Sequence, residues 1–245
     1  MDGLLQGRKA LVTGTAGGIG GAIAIELVAQ GAQVLGLDRV AGGPVDALSV
    51  DLTDTAGLAA VVDDAASRLG RLDVLVNCAG TFTPAGVREL TWSAYDRVLR
   101  VNLHAPVFLM SRAGGLMADQ GYGRIVNITS IHGRLSEPLS TAYDVSKAGL
   151  EAATRTFAVE LGAAGVLVNA VAPGFVATAM SVVDGVSELE SDWFRTIYVE
   201  HARLPLQRAA QPSEVARHVA FLASEANTYV TGQTLTVDGG LSARF

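Results

Sequence analysis

The sequence predicts an α/β fold: one doubly wound parallel sheet with helices on both faces, forming a single domain over residues 1–245. Three observations carry that expectation. Short, near-continuously apolar runs alternate with helical patterns along the chain, as strands covered on both faces do. A composition of 49% hydrophobic and 17% charged residues over 245 positions can bury a sizeable core without disulfide or metal staples. A glycine cluster lies between the first apolar run and the first helical one, where open α/β sheets place a ligand.

Taken in order, "KALVTG" (9–14) is a strand ending in glycine, and "GGAIAIELVAQG" (20–31) is a helix that stops at glycine. "AQVLGLD" (32–38) and "DALSVDL" (46–52) are strands, and Asp54 starts a helix over 54–69. "LDVLVNCAG" (72–80) is a strand, 91–118 is helical, "GRIVNITS" (123–130) is a strand and 141–164 is helical. "GVLVNAVAPG" (165–174) is a strand, and after Pro212 the helix "SEVARHVAFLAS" (213–224) is capped by Ser213. "GQTLTVDGG" (232–240) is the last strand. The irregular stretch, about 175–211, is long for a connection inside a domain and suits a variable substrate loop. There is no repeat, linker or low-complexity segment.

Composition also excludes classes of partner. The single cysteine, Cys78, cannot form an internal disulfide and suits the reducing cytoplasm. The N-terminus does not read as a signal peptide, and no apolar run reaches the ~18 residues of a membrane span. A formal charge of −6, without a basic run, argues against nucleic acid or an anionic membrane as partner. His104, His132, His201 and His218 lack metal-site spacing, so no metal is expected.

The cluster "TGTAGGIG" (13–20) carries Gly14, Gly18 and Gly20 in a GxxxGxG spacing. Such a turn lets backbone approach a pyrophosphate, and the helix behind it supplies unsatisfied N–H groups. Without a following Lys-Ser/Thr it is not a nucleotide-triphosphate loop. Asp38 ends the second strand, 24 residues after Gly14. A carboxylate there accepts from an adenosine ribose and repels a 2′-phosphate, which favours NAD over NADP. Arg39 beside it could accommodate that phosphate, but the glycine loop itself is neutral, with Thr15 after Gly14.

Ser130 ends a strand, 13 residues before Tyr143, and Lys147 follows Tyr143 by four on one helix face. Strand ends converge on one crevice in a parallel sheet, so the three can meet there. A cation one turn from a phenol favours the tyrosinate and lowers its pKa, which suits proton transfer beside a hydride acceptor. Cys78 ends an apolar strand with no evident cationic neighbour, and is not expected to be a nucleophile.

These residues sit within a longer series. "TGTAGGIG", "DL" (51–52), "NCAG" (77–80), "RVNL" (100–103), "ITS" (128–130), "YDVSK" (143–147) and "PGFVAT" (173–178) occur in this order over nearly the whole chain. Together they resemble the short-chain dehydrogenase/reductase family. The resemblance implies a Rossmann-like sheet and a tetrad of Asn102, Ser130, Tyr143 and Lys147. It implies Tyr143 as general acid/base, Ser130 as anchor of the substrate oxygen, Lys147 on the nicotinamide ribose and Asn102 holding a relay water. For the cofactor it implies Gly14, Thr15, Gly18, Ile19 and Gly20 at the pyrophosphate turn, and Asp51 and Leu52 at the adenine. Asn77, Ala79 and Gly80 would follow the adenosine and ribose, with Pro173, Gly174, Val176 and Thr178 toward the nicotinamide. Cys78 departs from the family's usual second Asn, leaving Asn77 and Gly80 intact.

His132 and Arg134 follow Ser130 above the crevice and are candidate substrate contacts, as are the aromatic residues of 191–203, which equally suit a subunit interface. The expected function is an NAD-dependent oxidoreductase interconverting a secondary alcohol and a ketone on a small polar compound: a sugar, sugar acid, polyol or cyclic diol. A 3-oxoacyl-(acyl-carrier-protein) reductase is the alternative within enzymes, against which Asp38 and the acidic net charge weigh. A non-catalytic dinucleotide-binding protein is the alternative of another class, against which the complete tetrad weighs. The resemblance also implies a homotetramer, paired through helices 91–118 and 141–164.

Overall fold

The computed structural model describes residues 3–40, 42–183 and 185–243. Seven parallel strands form the main sheet in the order β3-β2-β1-β4-β5-β6-β9. They are β1 (Lys9–Thr13), β2 (Gln33–Asp38), β3 (Ala47–Ser49), β4 (Val74–Asn77), β5 (Gly123–Ile128), β6 (Val166–Pro173) and β9 (Thr234–Val237). The chain runs outward from β1 to β3 and then returns to place β4 on the other side of β1. That reversal is the switch point at which a crevice opens beyond the strand ends.

Strand alternation feeds two cores, one on each face. Ala10 and Val12 of β1, with Val74 and Val76 of β4, pack against Ile23 and Leu27 of α1 (Gly18–Ala29) and Val215 and Val219 of α7 (Pro212–Ala223). The intervening Leu11 and Leu75 face the opposite way. They pack with Val62 of α2 (Leu58–Leu69), Leu109 and Met110 of α4 (Ala105–Gln120) and Leu150 of α5 (Thr141–Leu161). Because both faces are covered, alternate positions are equally apolar, which is why these strands read as continuous runs.

Several expected boundaries are corrected. Asp54 does not start α2: its carboxylate accepts from the Ala56 N–H at 3.2 Å in a local turn, and the helix begins after Gly57. Ser213 does not cap α7. Pro212 is already its first residue, and the Glu214 carboxylate reaches back to the Gln211 N–H at 2.8 Å. The 91–118 helix divides into α3 (Trp92–Leu99), a π-helical turn at Arg100–His104, and α4. The β2–β3 crossover contains no helix among its described residues.

The 175–211 stretch has more order than an irregular loop. It holds a small hairpin, β7 (Val182–Val183) and β8 (Val186–Ser187), then α6 (Asp192–Phe194), which continues as a π-helical turn to Glu200. Phe175, Phe194 and Tyr198 make a ring cluster with centroid separations of 5.0, 4.7 and 5.2 Å. With Leu204 they form a third, separate core. Among the described residues, no helix is long and apolar enough to cross a membrane.

Candidate active site

The glycine turn follows β1 directly. Gly14 has φ +79° and Gly18 +56°, the left-handed region that glycine tolerates. A Cβ on Gly14 would stand 2.9 Å from Ala79 Cα, and one on Gly20 would stand 2.1 Å from the Gly14 carbonyl oxygen. Helix α1 starts with no side-chain cap and no acidic residue in its first turn, so its N–H groups and positive end are uncompensated. Ile19 packs into the first core. Thr15 is fully buried, and its hydroxyl lacks a partner.

Asp38 stands beside this turn at the end of β2. Its carboxylate accepts from the Ala16 N–H at 2.9 Å and the Val40 N–H at 3.1 Å, so it also ties the glycine loop to the sheet. Arg39 is exposed and lowers the pKa of Asp51, although the Thr53 N–H and hydroxyl contribute more. Leu52 is buried in the second core.

The end of β4 is fixed from both sides. The Thr13 hydroxyl accepts from the Cys78 and Ala79 N–H groups, at 2.9 Å each. Buried Asn77 donates to Asn127 Oδ1 at 2.8 Å, and Asn127 donates to the Thr154 hydroxyl at 2.8 Å. Asn77 Oδ1 is itself buried without a partner. Asn102 lies in the π-helical turn. It accepts from the Thr81 N–H and donates to the Thr81 carbonyl, both at 2.8 Å, and donates to Ser146 Oγ at 3.2 Å. Gly80 lies between two tetrad members: a Cβ there would be 3.6 Å from Asn102 Oδ1 and 3.7 Å from Lys147 Nζ.

Ser130 follows β5 and hydrogen-bonds the Tyr143 phenol. Lys147 Nζ lies 5.4 Å from the Tyr143 ring centroid and donates to the Ile128 carbonyl at 2.9 Å. The electrostatics correct the sequence expectation. Burial pushes the phenol up to about 12, and the Ser130 hydrogen bond offsets only part of this. Burial likewise brings Lys147 down to about 8, so both groups are driven toward their neutral forms. The ammonium faces a backbone carbonyl rather than making a direct ion pair with the phenol. A cation does neighbour Cys78 after all, but burial outweighs Lys147 and holds the thiol up at about 12.

Beyond Tyr143 the wall combines His132 and Tyr198, which the sequence offered as candidates, with Phe82, Glu137 and Asp144, which it left unassigned. His132 and Phe82 each meet the Tyr143 ring edge-on at 5.5 Å. His132 Nδ1 pairs with Asp144 at 2.7 Å. Glu137 accepts from the Tyr198 hydroxyl at 3.1 Å, docking the 188–200 segment here. Arg134 turns away to buried Glu151 at 3.1 Å, which argues against its expected substrate contact. Only the Tyr-Asp and Ser-x-His adjacencies hinted at the His132–Asp144 pair. On the far side Pro173 ends β6, and a Cβ on Gly174 would meet Asp238 at 2.9 Å. Val176 is buried in the first core, and Thr178 closes on Gly18, at 3.6 Å from where its Cβ would be. Among the described residues, no group of three or more His, Cys, Asp or Glu could hold a metal ion.

A dinucleotide fits these residues on three observations: a glycine cradle that any Cβ would fill, an uncapped helix N-terminus, and the unpartnered Asn77 oxygen. The chain matches the family model described as enoyl-(acyl carrier protein) reductase over residues 14–242. It is 41% identical to cis-4-hydroxycyclohexanecarboxylate dehydrogenase of Sinomonas cyclohexanicum, over 96% of this chain and 97% of that one. It is 36% identical to a 3-oxoacyl-(acyl-carrier-protein) reductase of Thermotoga maritima, over 97% and 98%. A solved structure named as an NAD(P)-dependent gluconate 5-dehydrogenase of Beutenbergia cavernae, with NADP bound at low occupancy, superposes with TM-score 0.89. It is 38% identical and covered over 98% of both chains. Fold and likeness define an oxidoreductase that uses a nicotinamide dinucleotide. The chain belongs to the short-chain dehydrogenase/reductase family.

Burying Lys147 has a measurable consequence. A fall from 10.5 to about 8 corresponds to a cost on the order of 3 kcal/mol while the ammonium is charged. The unfolded chain then binds the extra proton between those two values, so stability rises with pH across that window and the full cost is felt below it. Lys147→Met removes the cost and loses one hydrogen bond worth about 1 kcal/mol. Without added cofactor, its melting temperature at neutral pH should exceed wild type by about 4–8 °C. The gain should shrink as pH rises toward 10.5, as calorimetry can show.

Proposed function

We propose that this chain is an NAD-preferring dehydrogenase that interconverts a secondary alcohol and a ketone on a small polar substrate in the cytoplasm. The observation that carries the reading is the meeting of Ser130, Tyr143 and Lys147 at the strand ends, with Gly80 linking Asn102 to Lys147. A bound nicotinamide dinucleotide supplies the hydride acceptor or donor. Ser130 holds the substrate oxygen, and Tyr143 exchanges its proton. Lys147 holds the nicotinamide ribose, and Asn102 holds a relay water. Gly14, Thr15, Gly18, Ile19 and Gly20 take the pyrophosphate, and Asp38 takes the adenosine ribose. Asp51, Leu52, Asn77, Ala79 and Gly80 line the adenosine side; Pro173, Gly174, Val176 and Thr178 line the nicotinamide side. A 3-oxoacyl thioester reductase is the second reading, favoured by the Thermotoga relative and disfavoured by the net charge of −6, which would repel an acidic carrier.

A panel of cyclic and acyclic secondary alcohols, with NAD and NADP and read at the reduced nicotinamide's absorbance, tests the activity. Tyr143→Phe should lose at least ~1000-fold in kcat, with little change in cofactor affinity. The phenol is held in its neutral form, and only the phenolate accepts the alcohol's proton. Oxidation should therefore speed up between about pH 6 and 10, while ketone reduction, which uses the protonated phenol, should not. A flat oxidation profile would remove Tyr143 from the proton transfer.

Cofactor choice rests on Asp38. A 2′-phosphate beside its carboxylate sets two anions together and should cost on the order of 2 kcal/mol, or ~30-fold in kcat/KM. Arg39 keeps the penalty at that lower end. Asp38→Ala should shrink the NAD:NADP ratio toward one. Wild-type preference for NADP, or an unchanged ratio in the variant, defeats the assignment.

A homotetramer is part of the same reading. Ala105 is buried in the second core and is not available to a partner, while Phe157 is partly buried against that core. Ala148 and Ala152 are exposed, as are Phe108 of α4 and Val145 and Val159 of α5. Light scattering should give four times the chain mass of 25.3 kDa.

A further inference from the structure

We propose that His132 and Glu137 recognise a second hydroxyl group on the substrate, which makes the preferred substrate class a neutral diol or polyol and its hydroxyketone product. This rests on the dehydrogenase reading above and narrows its substrate. His132 Nδ1 faces Asp144 at 2.7 Å, while Nε2 lies 3.9 Å from Glu137 Oε2. The second separation is too long for a hydrogen bond. It does suit one oxygen atom placed between them, at about 2.8 Å from each.

The chemistry of the two groups selects a hydroxyl. A carboxylate accepts, so the His132 nitrogen facing Asp144 carries the proton, and Nε2 of the neutral ring is an acceptor. A hydroxyl can donate to it, or to Glu137. If the ring is protonated, the hydroxyl accepts from Nε2 and donates to Glu137. A hydroxyl is thus satisfied in either state of His132, whereas a second carbonyl or carboxylate can only accept. Charge points the same way. Glu137 lies close enough to Glu188 to help raise that carboxyl's pKa, after the larger effect of burial. An anionic substrate group would meet both acids. Arg134 and Arg195 are paired with Glu151 and Asp192, and Arg203, which acts on the Tyr198 phenol beside Glu137, is the cation set against the two acids.

The pair is also held in place. His132 and Asp144 side chains are 18% and 17% exposed, and His132 is braced edge-on against Tyr143. Glu137 Oε1 is taken by the Tyr198 hydroxyl, leaving Oε2 toward the gap. A fixed reader next to the proton-transfer group discriminates by leaving polar atoms unsatisfied when the second hydroxyl is missing.

Matched alcohols test this: cyclohexanol, the three positional cyclohexanediols, and 4-hydroxycyclohexanecarboxylate. In wild type, at least one diol should exceed both cyclohexanol and the carboxylate by ~10-fold or more in kcat/KM, mainly through KM. His132→Phe keeps the ring against Tyr143 but removes Nε2, and should bring the diol:cyclohexanol ratio down to about one. Reading a ratio cancels any general loss of activity. Glu137→Gln, at a position 45% exposed, covers the case in which His132→Phe does not fold. It should lower the same ratio and improve the carboxylate relative to the diol. Saturation-transfer NMR on protein without cofactor should show diol contacts in wild type that His132→Phe loses, with no turnover needed. Wild-type preference for cyclohexanol or the carboxylate, or diol preference and contacts unchanged in both variants, overturns the proposal. Turnover of simple alcohols without diol preference leaves the dehydrogenase reading standing. Absence of all alcohol turnover with either cofactor, with diol contacts retained, counts against that reading instead.

Discussion

Every group in the crevice depends on one constraint: seven strands that all point the same way. Parallel pairing brings the ends of β1, β4, β5 and β6 to one edge, and the return from β3 to β4 prevents a loop from crossing the gap there. Residues far apart in sequence then become neighbours without special devices. The Thr13 hydroxyl after β1 takes two N–H groups beyond β4, and the Ile128 carbonyl at the end of β5 takes the Lys147 ammonium from α5. The Asn77–Asn127–Thr154 chain links two central strands to that same helix. A polar ladder inside an apolar sheet is stable only when its members pair, and here nearly all do.

Burial governs the chemistry of these groups more strongly than pairwise charge does. Tyr143 and Cys78 are both raised to about 12 and Lys147 is lowered to about 8, in each case with desolvation as the largest cause. Lys147 lies near enough to affect Cys78, yet its single ammonium does not reverse the larger effect of burial on the thiol. The site thus stores unfavourable electrostatics, which is common where a fold supports proton transfer. The stiff scaffold that tolerates this is the same double core whose residues alternate between the two sheet faces.

The side proposed to meet the substrate is built differently. It is made by a segment with its own small aromatic core, closed at its neck by the backbone pairing of Val176 with Ala210 and tied to the rest by the Tyr198–Glu137 hydrogen bond and by the Leu206 N–H donating to the Gly239 carbonyl. A module of this kind can vary in sequence without disturbing the sheet. This fits the range of substrates named among relatives with near-complete coverage.

Much of this was legible in the sequence by itself. The apolar runs located the strands, because a strand covered on both faces must be apolar at every position. The ordered motifs from "TGTAGGIG" to "PGFVAT" marked the family, because close backbone approach and helix ends demand particular residues at particular spacings. Boundaries set by local competition were less legible: Asp54 bonds its own turn, and Glu214 does the work expected of Ser213. Four things were left to the tertiary structure: the His132–Asp144 pair, the clamp of Asn102 on Thr81, the ordered 175–211 segment and the raised phenol of Tyr143. Each arises from contacts between separate elements or from the depth at which a group is buried. Such effects depend on distance and dielectric in three dimensions, and residue type and spacing along the chain do not encode them directly.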